Sequence, residues 1–344
     1  MKDDDRAFRP GKLPLEYLDG LLSRYAHADG RLVVGPGVGQ DVAVIDMGDR
    51  CLVVKTDPIT FATDQIGWYA VHVNANDIAT SGARPMWMLN TILLPEKQAT
   101  PSLVESIFDQ IHEACRDLGI TLAGGHTEVT WGIERPMVIG VLIGEVERSR
   151  LHRAADARPG DCVLLAKSVP IEGTALIARE RQQELLEHGF APEVLERARQ
   201  LLFDPGISVV EAAHLAADCP GVHAMHDPTE GGLATGLHEL GHAAGAGLIL
   251  YRERVPVLTE GERICQFYGL DPLGLIASGA LLISVDPEGM AFVLDRFQRA
   301  GIPCAHVADL VSPEEGYTMM DDKGRRPLPR YDADEITRVF ASGL

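Results

Sequence analysis

The sequence predicts two α/β domains in tandem. Three observations carry that prediction. At 344 residues the chain is longer than one hydrophobic core usually organises. Apolar strand-like runs alternate with helical periodicity in both halves. A polar stretch over 147–161, punctuated by Pro159-Gly160, separates the two. The expected bounds are 1–155 and 156–330, with a tail over 331–344.

In the first half a short helix over 15–27 precedes strand-like runs at 41–45 and 51–56, and a helix over 64–81 follows. A buried strand fits 87–94. A helix fits 102–118, where Leu103, Ile107, Ile111 and Ala114 recur at helical spacing. Short apolar runs at 120–123 and 137–143 complete the unit. The second half opens with a strand at 162–166 and helices near 173–187, 192–202 and 208–217. A strand at 222–225 ends in His226-Asp227-Pro228-Thr229-Glu230-Gly231-Gly232, and a helix starts in or just after that turn. Strands near 248–251, 280–285 and 305–310 alternate with helices near 262–268 and 287–300, and 323–335 reads as irregular.

Composition narrows the function. Hydrophobic residues make up 46% and charged residues 24%, an ordinary globular balance. No apolar run reaches the ~18 residues needed to span a bilayer, and Met1–Arg6 is acidic, without a secretion signal's apolar core. A soluble cytoplasmic protein without a membrane partner is expected. A net charge of −19 repels a polyanion, which argues against nucleic acid as a partner. The six cysteines, Cys51, Cys115, Cys162, Cys219, Cys265 and Cys304, are scattered with no CxxC, so packing thiols are expected in place of a zinc site or disulfide framework.

Five stretches can carry chemistry. In Gly35-Pro36-Gly37-Val38-Gly39-Gln40-Asp41 the glycines let backbone N–H groups approach a phosphate, and Asp41 can reach its metal. Alone the signal is weak, and a plain glycine loop is the simpler account. Lys55-Thr56-Asp57-Pro58 closes a strand where α/β clefts open, offering Asp57 as a hard-oxygen ligand, or else simply a turn. Asn74-Ala75-Asn76-Asp77-Ile78-Ala79-Thr80-Ser81-Gly82 puts Asn74, Asp77 and Ser81 on one helical face, and Asn and Asp are poor helix-interior residues. Helix termination explains Gly82 but neither Asn74 nor Asp77. Gly124-Gly125-His126-Thr127-Glu128 follows a buried run and brings backbone close to a ligand, or forms a glycine turn. The Asp227-to-Gly232 turn caps a helix and can present N–H donors to an anion.

Taken in order, Gly-Pro-Gly-x-Gly-x-Asp, Thr-Asp, Asn-Asp-Ile-Ala-x-Ser-Gly-Ala-x-Pro, Gly-Gly-x-Thr and Asp-Pro-Thr-x-Gly-Gly-Leu-Ala resemble the aminoimidazole ribonucleotide synthetase superfamily over roughly residues 30 to 330. With Gly269-Leu270-Asp271-Pro272-Leu273, the series is most similar to the hydrogenase-maturation branch. The resemblance implies a two-domain fold whose N-terminal domains pair into a β-barrel across a homodimer. It implies ATP in a cleft with Mg²⁺ on aspartates. Carried over by position, Asp41, Asp57 and Asp77 would hold the metal. Asp227 would join Asp57 and Asp77 in catalysis, and Lys55 either adds a further positive charge there or is a surface lysine at the end of a strand. Gly37, Gly39, Asn74, Asn76, Gly124, Gly125, His126, Thr127 and Glu230 would approach the nucleotide.

The pattern also departs from the family. Relatives carry two adjacent aspartates where Gln40-Asp41 stands, aspartate at His126 and often arginine at Glu230. No cysteine follows Cys304, so the cysteine-bearing tail of the hydrogenase-maturation dehydratases has no counterpart here. Cys51 lies in an apolar strand, unlike the reactive cysteine of selenophosphate synthetases, and Asp57-Pro-Ile-Thr departs from the purine-pathway motif. The expected function is ATP-dependent phosphorylation or phosphate activation of a small amide, thioamide or phosphate-bearing metabolite, by a ligase, dehydratase or phosphotransferase of this superfamily. Two other readings stay open. One is a small-molecule kinase of the thiamine-monophosphate kinase type. The other, motivated by Gln40 and His126, is a non-catalytic nucleotide-binding partner protein.

Overall fold

The structure, a computed structural model, describes residues 8, 13–27, 29–37 and 39–341. The acidic lead at 1–6 and the end of the expected tail, 342–344, lie outside them. Helix α1 (Leu15–Tyr25) leads into β1 (Leu32–Val34), β2 (Ala43–Asp46) and β3 (Arg50–Ile59). Then come α2 (Ile66–Thr80), β4 (Arg84–Pro95), α3 (Pro101–Leu118), β5 (Thr121–Thr130) and β6 (Met137–Glu147). The strands form one sheet in the order β1-β2-β3-β6-β4-β5, antiparallel except for the β4–β5 pair. Helix α3 begins where Thr100 Oγ1 accepts from the Leu103 N–H with Pro101 in the first turn, and it ends at the left-handed Gly119. Helix α2 is buried at every position except Trp68, as expected of a helix apolar nearly all round. It lies on β3 and β6, with α3 and the helix Val210–Ala217 of the second half on its other sides.

The second half runs β7 (Cys162–Ala166), α4 (Ile171–Glu180), α5 (Gln182–Glu187), α6 (Pro192–Gln200), α7 (Val210–Ala217), β8 (Val222–His226), α8 (Gly232–Ala243) and β9 (Gly247–Tyr251). It continues with α9 (Thr259–Tyr268), β10 (Leu281–Val285), α10 (Met290–Arg299), β11 (Cys304–Val311), β12 (Tyr317–Asp321), β13 (Gly324–Pro327) and α11 (Ile336–Ala341). Its sheet has the order β13-β12-β9-β11-β7-β10-β8, with only β9–β12 parallel. Successive side chains of β7 point to opposite faces. Val163 and Leu165 join the core under α8, while Cys162, Leu164 and Ala166 join the core under α7 and α10.

Several expectations are corrected. Asp57-Pro58 does not close a strand, because β3 continues through Ile59 with Asp57 opposite Gly140. The Gly124-Gly125 pair does not follow a buried strand but lies inside β5, which is exposed from Thr121 to Val129. The helix expected over 173–187 is two helices, α4 and α5, broken where Arg181 leaves helical geometry. Residues 324–327, expected to be irregular, pair as β13 with β12. Five of the six cysteines are buried and Cys304 is half-buried, all as free thiols.

Candidate functional site

Lys55 and Asp57 are two apart on β3 and therefore share a face. That face meets α2, where Lys55 Nζ stands 3.2 Å from Asp57 Oδ2 and 3.2 Å from Asp77 Oδ2. Asp41, just before β2, and Asp227, just after β8, close the group. One carboxylate oxygen from each of Asp41, Asp77 and Asp227 lies within 4.8 Å of the others. Beside this trio a cavity of about 490 Å³ separates the two halves. Asp41, Lys55, Asp57, Asp77 and Arg135 line one wall, and Glu172, Thr229, Glu230, Ile276 and Ser278 line the other.

Four carboxylates around one buried amine perturb one another. Burial opposes the charge on Lys55, but Asp77, Asp57, Asp41 and Asp227 outweigh it and hold the amine well above the ordinary lysine range. Burial raises Asp77 well above a normal carboxyl, against the pull of Lys55. Burial and then Asp41 push Asp227 up to about 7, and neither Asp227 oxygen has a hydrogen-bond partner. Leaving a buried carboxylate unpaired is costly. A divalent cation removes that cost, since it supplies the missing partner and favours the ionised form of each ligand. The residues present fit a hard cation with oxygen ligands, the chemistry of Mg²⁺. A second cluster, Cys162, His306 and Asp309, differs in this respect. There His306 Nε2 is 2.7 Å from Asp309 Oδ1, and the Tyr251 hydroxyl donates to Asp309 Oδ2 at 2.6 Å, so the polar atoms satisfy each other.

Neighbouring groups hold the carboxylates in place. Asn74 Oδ1 accepts from the Asp57 N–H at 3.0 Å, and Asn74 Nδ2 donates to the Ala70 carbonyl at 2.8 Å. A Cβ at Gly140 would stand 2.5 Å from Asn74 Nδ2, so the strand position facing Asp57 has to be glycine. His226 Nδ1 lies 2.7 Å from Asp41 Oδ2, and its Nε2 lies 3.1 Å from Glu239 Oε2. Burial disfavours charge on this imidazole, but Asp41 and Glu239 more than offset it and keep its pKa well above that of ordinary histidine.

Other expected site residues lie elsewhere. Asn76 turns away from Asp77, donating to the Ile207 carbonyl and accepting from the Val209 N–H, which clamps α2 to the second half. Gly39 packs against α8, where a Cβ would meet the Glu239 carbonyl at 2.8 Å, and neither Gly37 nor Gly39 lines the acidic cavity. Gly124, Gly125, His126 and Thr127 line a separate cavity of about 310 Å³ with Asn90 and Phe108. Gly125 is needed there because a Cβ would fall 2.0 Å from the Asn90 carbonyl oxygen. His126 pairs with Glu128 at 3.1 Å on the exposed strand, away from the aspartates of its own chain. Glu230 faces the cleft, but the donors at the start of α8 are already engaged. The Gly231 N–H donates at 2.6 Å to Asp334, whose carboxylate also accepts from Ile276 and Ile336.

Glu172 was not foreseen. It is 5% exposed, its Oε2 has no hydrogen-bond partner, and burial pushes it up to about 8. Its place in the first turn of α4 favours the carboxylate by about 0.3–1 kcal/mol. A rise from 4.5 to about 8 corresponds to roughly 5 kcal/mol at about 1.4 kcal/mol per unit, so burial wins. The available signal was a lone carboxylate in the apolar run Ile171-Glu172-Gly173-Thr174-Ala175-Leu176-Ile177-Ala178.

The N-terminal domain of AIR synthase related proteins matches residues 39–146, and the C-terminal domain of the same proteins matches residues 158–320. The chain belongs to the AIR synthase related family. Within it, the chain is 28% identical over 318 residues to the carbamoyl dehydratase HypE of Cupriavidus necator, covering 88% of this chain and 86% of that one. It is 29% identical over 315 residues to HypE of Rhizobium leguminosarum bv. viciae, with 88% and 86% covered. Among solved structures, Escherichia coli HypE shares the fold at a TM-score of 0.72 and 23% identity, covering 94% of this chain and 98% of that chain. AaThiL, complexed with AMPPCP and TMP, does so at 0.68 and 21%, with 85% and 90% covered. Among the described residues, no helix of this family member is long and apolar enough to cross a membrane.

Proposed function

We propose that the chain is an ATP- and Mg²⁺-dependent enzyme that phosphorylates, or activates by phosphorylation, a small amide, thioamide or phosphate-bearing metabolite. The observation that carries this reading is the trio Asp41, Asp77 and Asp227, with Asp227 buried and unpartnered and Lys55 between Asp57 and Asp77. Asp41, Asp77 and Asp227, with Asp57 beside them, would hold Mg²⁺. The bound metal would offset charge on a transferring phosphoryl group. Lys55 adds a fixed positive charge beside the aspartates. HypE crystallised in complex with ATP and ThiL complexed with AMPPCP share this fold, which supports a nucleotide in the cleft.

A homodimer belongs to the same reading. Strand β5 is the edge of its sheet and is exposed along nearly its whole length, with Leu122 and Val129 on it and Trp131, 82% exposed, just beyond. An uncovered apolar edge is a pairing surface. A second copy placed there would cover Gly124 to Thr127 and form the barrel that the family resemblance implies.

Calorimetry of ATP-analogue binding with and without Mg²⁺, on the wild type, Asp57→Ala and Asp77→Ala, tests the reading. Mg²⁺-dependent binding that the folded variants lose is expected. No binding by the folded wild type would sink it. Product analysis separates the kinase reading, which leaves a stable phosphorylated product, from activation, which releases free phosphate.

A further inference from the structure

We propose that Glu172 binds the acceptor through paired hydrogen bonds from its carboxyl group, and that the acceptor presents an uncharged amide-like group and not a phosphate ester. The proposal rests on the cleft being the nucleotide and metal site, and it adds the residue and chemistry of the acceptor's wall. Glu172 lines the cavity on the side facing Lys55 and Asp77, 95% buried, with Oε2 lacking a hydrogen-bond partner. The Ser278 hydroxyl, also buried, lines the same cavity beside the Glu172 carboxyl. Buried polar atoms are normally satisfied, so the open Oε2 on a cavity wall marks a place where a ligand completes the bonding.

The character of this wall selects the ligand. Its lining residues, Glu172, Thr229, Glu230, Ile276 and Ser278, include no lysine or arginine. Across the cavity Lys55 is engaged by Asp57 and Asp77, and Arg135 sits on the opposite, first-half wall. A phosphate ester turned toward this wall would find no cationic side chain among its lining residues. Burial, with Glu230 and Asp334 nearby, keeps Glu172 protonated at neutral pH. A protonated carboxyl offers one O–H donor and one carbonyl acceptor side by side, the complement of a carbonyl and N–H on one amide. Ser278 supplies a further hydroxyl on the same wall.

The test uses the full chain loaded with Mg²⁺ and AMPPCP, titrated by NMR with propionamide and, separately, with thiamine monophosphate. Wild type, Glu172→Gln and Glu172→Ala are compared, because glutamine keeps one donor and one acceptor in nearly the same shape. Propionamide should bind wild type and Glu172→Gln within a few-fold of each other and bind Glu172→Ala about tenfold more weakly. Thiamine monophosphate should not bind the loaded wild type. Binding of the phosphate ester, no binding of propionamide, or equal propionamide affinity in Glu172→Ala would overturn the assignment. Mg²⁺-AMPPCP affinity should be the same in all three chains. A wild type that takes up no Mg²⁺-AMPPCP overturns the nucleotide reading itself and the acceptor assignment with it. Normal nucleotide binding with a failed propionamide arm overturns the Glu172 assignment alone.

Discussion

His226 joins the two halves of the molecule through Asp41, which is 185 positions away in the chain and 2.7 Å away in space. The same imidazole reaches Glu239 with its other nitrogen, so one buried ring serves two carboxylates. Removing it takes away the imidazole that bridges them. His226→Ala should cost about 3–5 kcal/mol in urea unfolding, in the range for breaking one side of a buried charge pair. It should also weaken Mg²⁺-dependent nucleotide binding, because Asp41 loses its anchor. Adding Glu239→Gln should recover part of the stability, and a loss below about 0.5 kcal/mol would show that the ring does not hold the halves together.

Asp227 should show opposite effects on stability and binding. Its carboxyl titrates at about 7 in the folded chain and near 3.8 when unfolded. The folded state therefore keeps a proton that the unfolded state has already released, and stability falls as pH rises through that interval. Asparagine carries no such penalty. At pH 8 without Mg²⁺, Asp227→Asn should be more stable than the wild type by about 1–4 kcal/mol. Added Mg²⁺ should raise the melting temperature of the wild type more than that of the variant. Equal responses to Mg²⁺ would remove Asp227 from the metal site.

Glu172 obeys the same sign. Between its unfolded value of 4.5 and its folded value of about 8, it makes stability decline with pH by up to about 1.4 kcal/mol per unit. Urea midpoints of wild type and Glu172→Gln at pH 5, 7 and 9 isolate this group from other buried carboxyls. The difference in favour of the variant should grow from pH 5 to pH 9. A constant difference would mean that Glu172 is ionised throughout.

Gly140 tests how Asp57 is held. An alanine there would place its Cβ 2.5 Å from Asn74 Nδ2 and 2.7 Å from the Met88 methyl. Overpacking of this kind costs about 1–3 kcal/mol. Because Asn74 also holds the Asp57 backbone, Mg²⁺-AMPPCP affinity should fall together with stability. Gly140→Ala combined with Asn74→Ala should lose less than the sum of the two single changes. Strict additivity would show that the two residues act independently.

Much of the chain was legible before folding. The five-residue apolar run of β7 was read at its observed bounds, because both of its faces are buried and its neighbours are polar. Asp77 stood out because an aspartate inside an apolar helix conflicts with local preference, and such conflicts tend to mark sites. Asp41 came from a glycine-rich loop, Asp57 from an apparent strand end and Asp227 from a turn at a helix start. Lys55 was less legible, since a lysine at the end of a strand fits a surface position equally well. Strand β12 was missed, and β13 was read as irregular tail. They form a short hairpin at the sheet margin, where Thr, Asp, Lys and Arg obscure the alternation.

The sequence by itself determined many of the strands and helices and singled out Asp41, Asp57, Asp77 and Asp227, since period and propensity are properties of neighbouring residues. Only the tertiary structure decided what those residues face. Asn74 and Asn76 are two apart on one helix, yet one holds Asp57 and the other holds the 207–209 segment, because a helix turns about 200° over two residues. The anion expected at the start of α8 is the chain's own Asp334, contributed from 103 positions away. Gly124 to Thr127 sit on an outer strand, away from the aspartates they were grouped with. Each of these outcomes depends on a contact between segments far apart in the chain, and local pattern carries no information about such contacts.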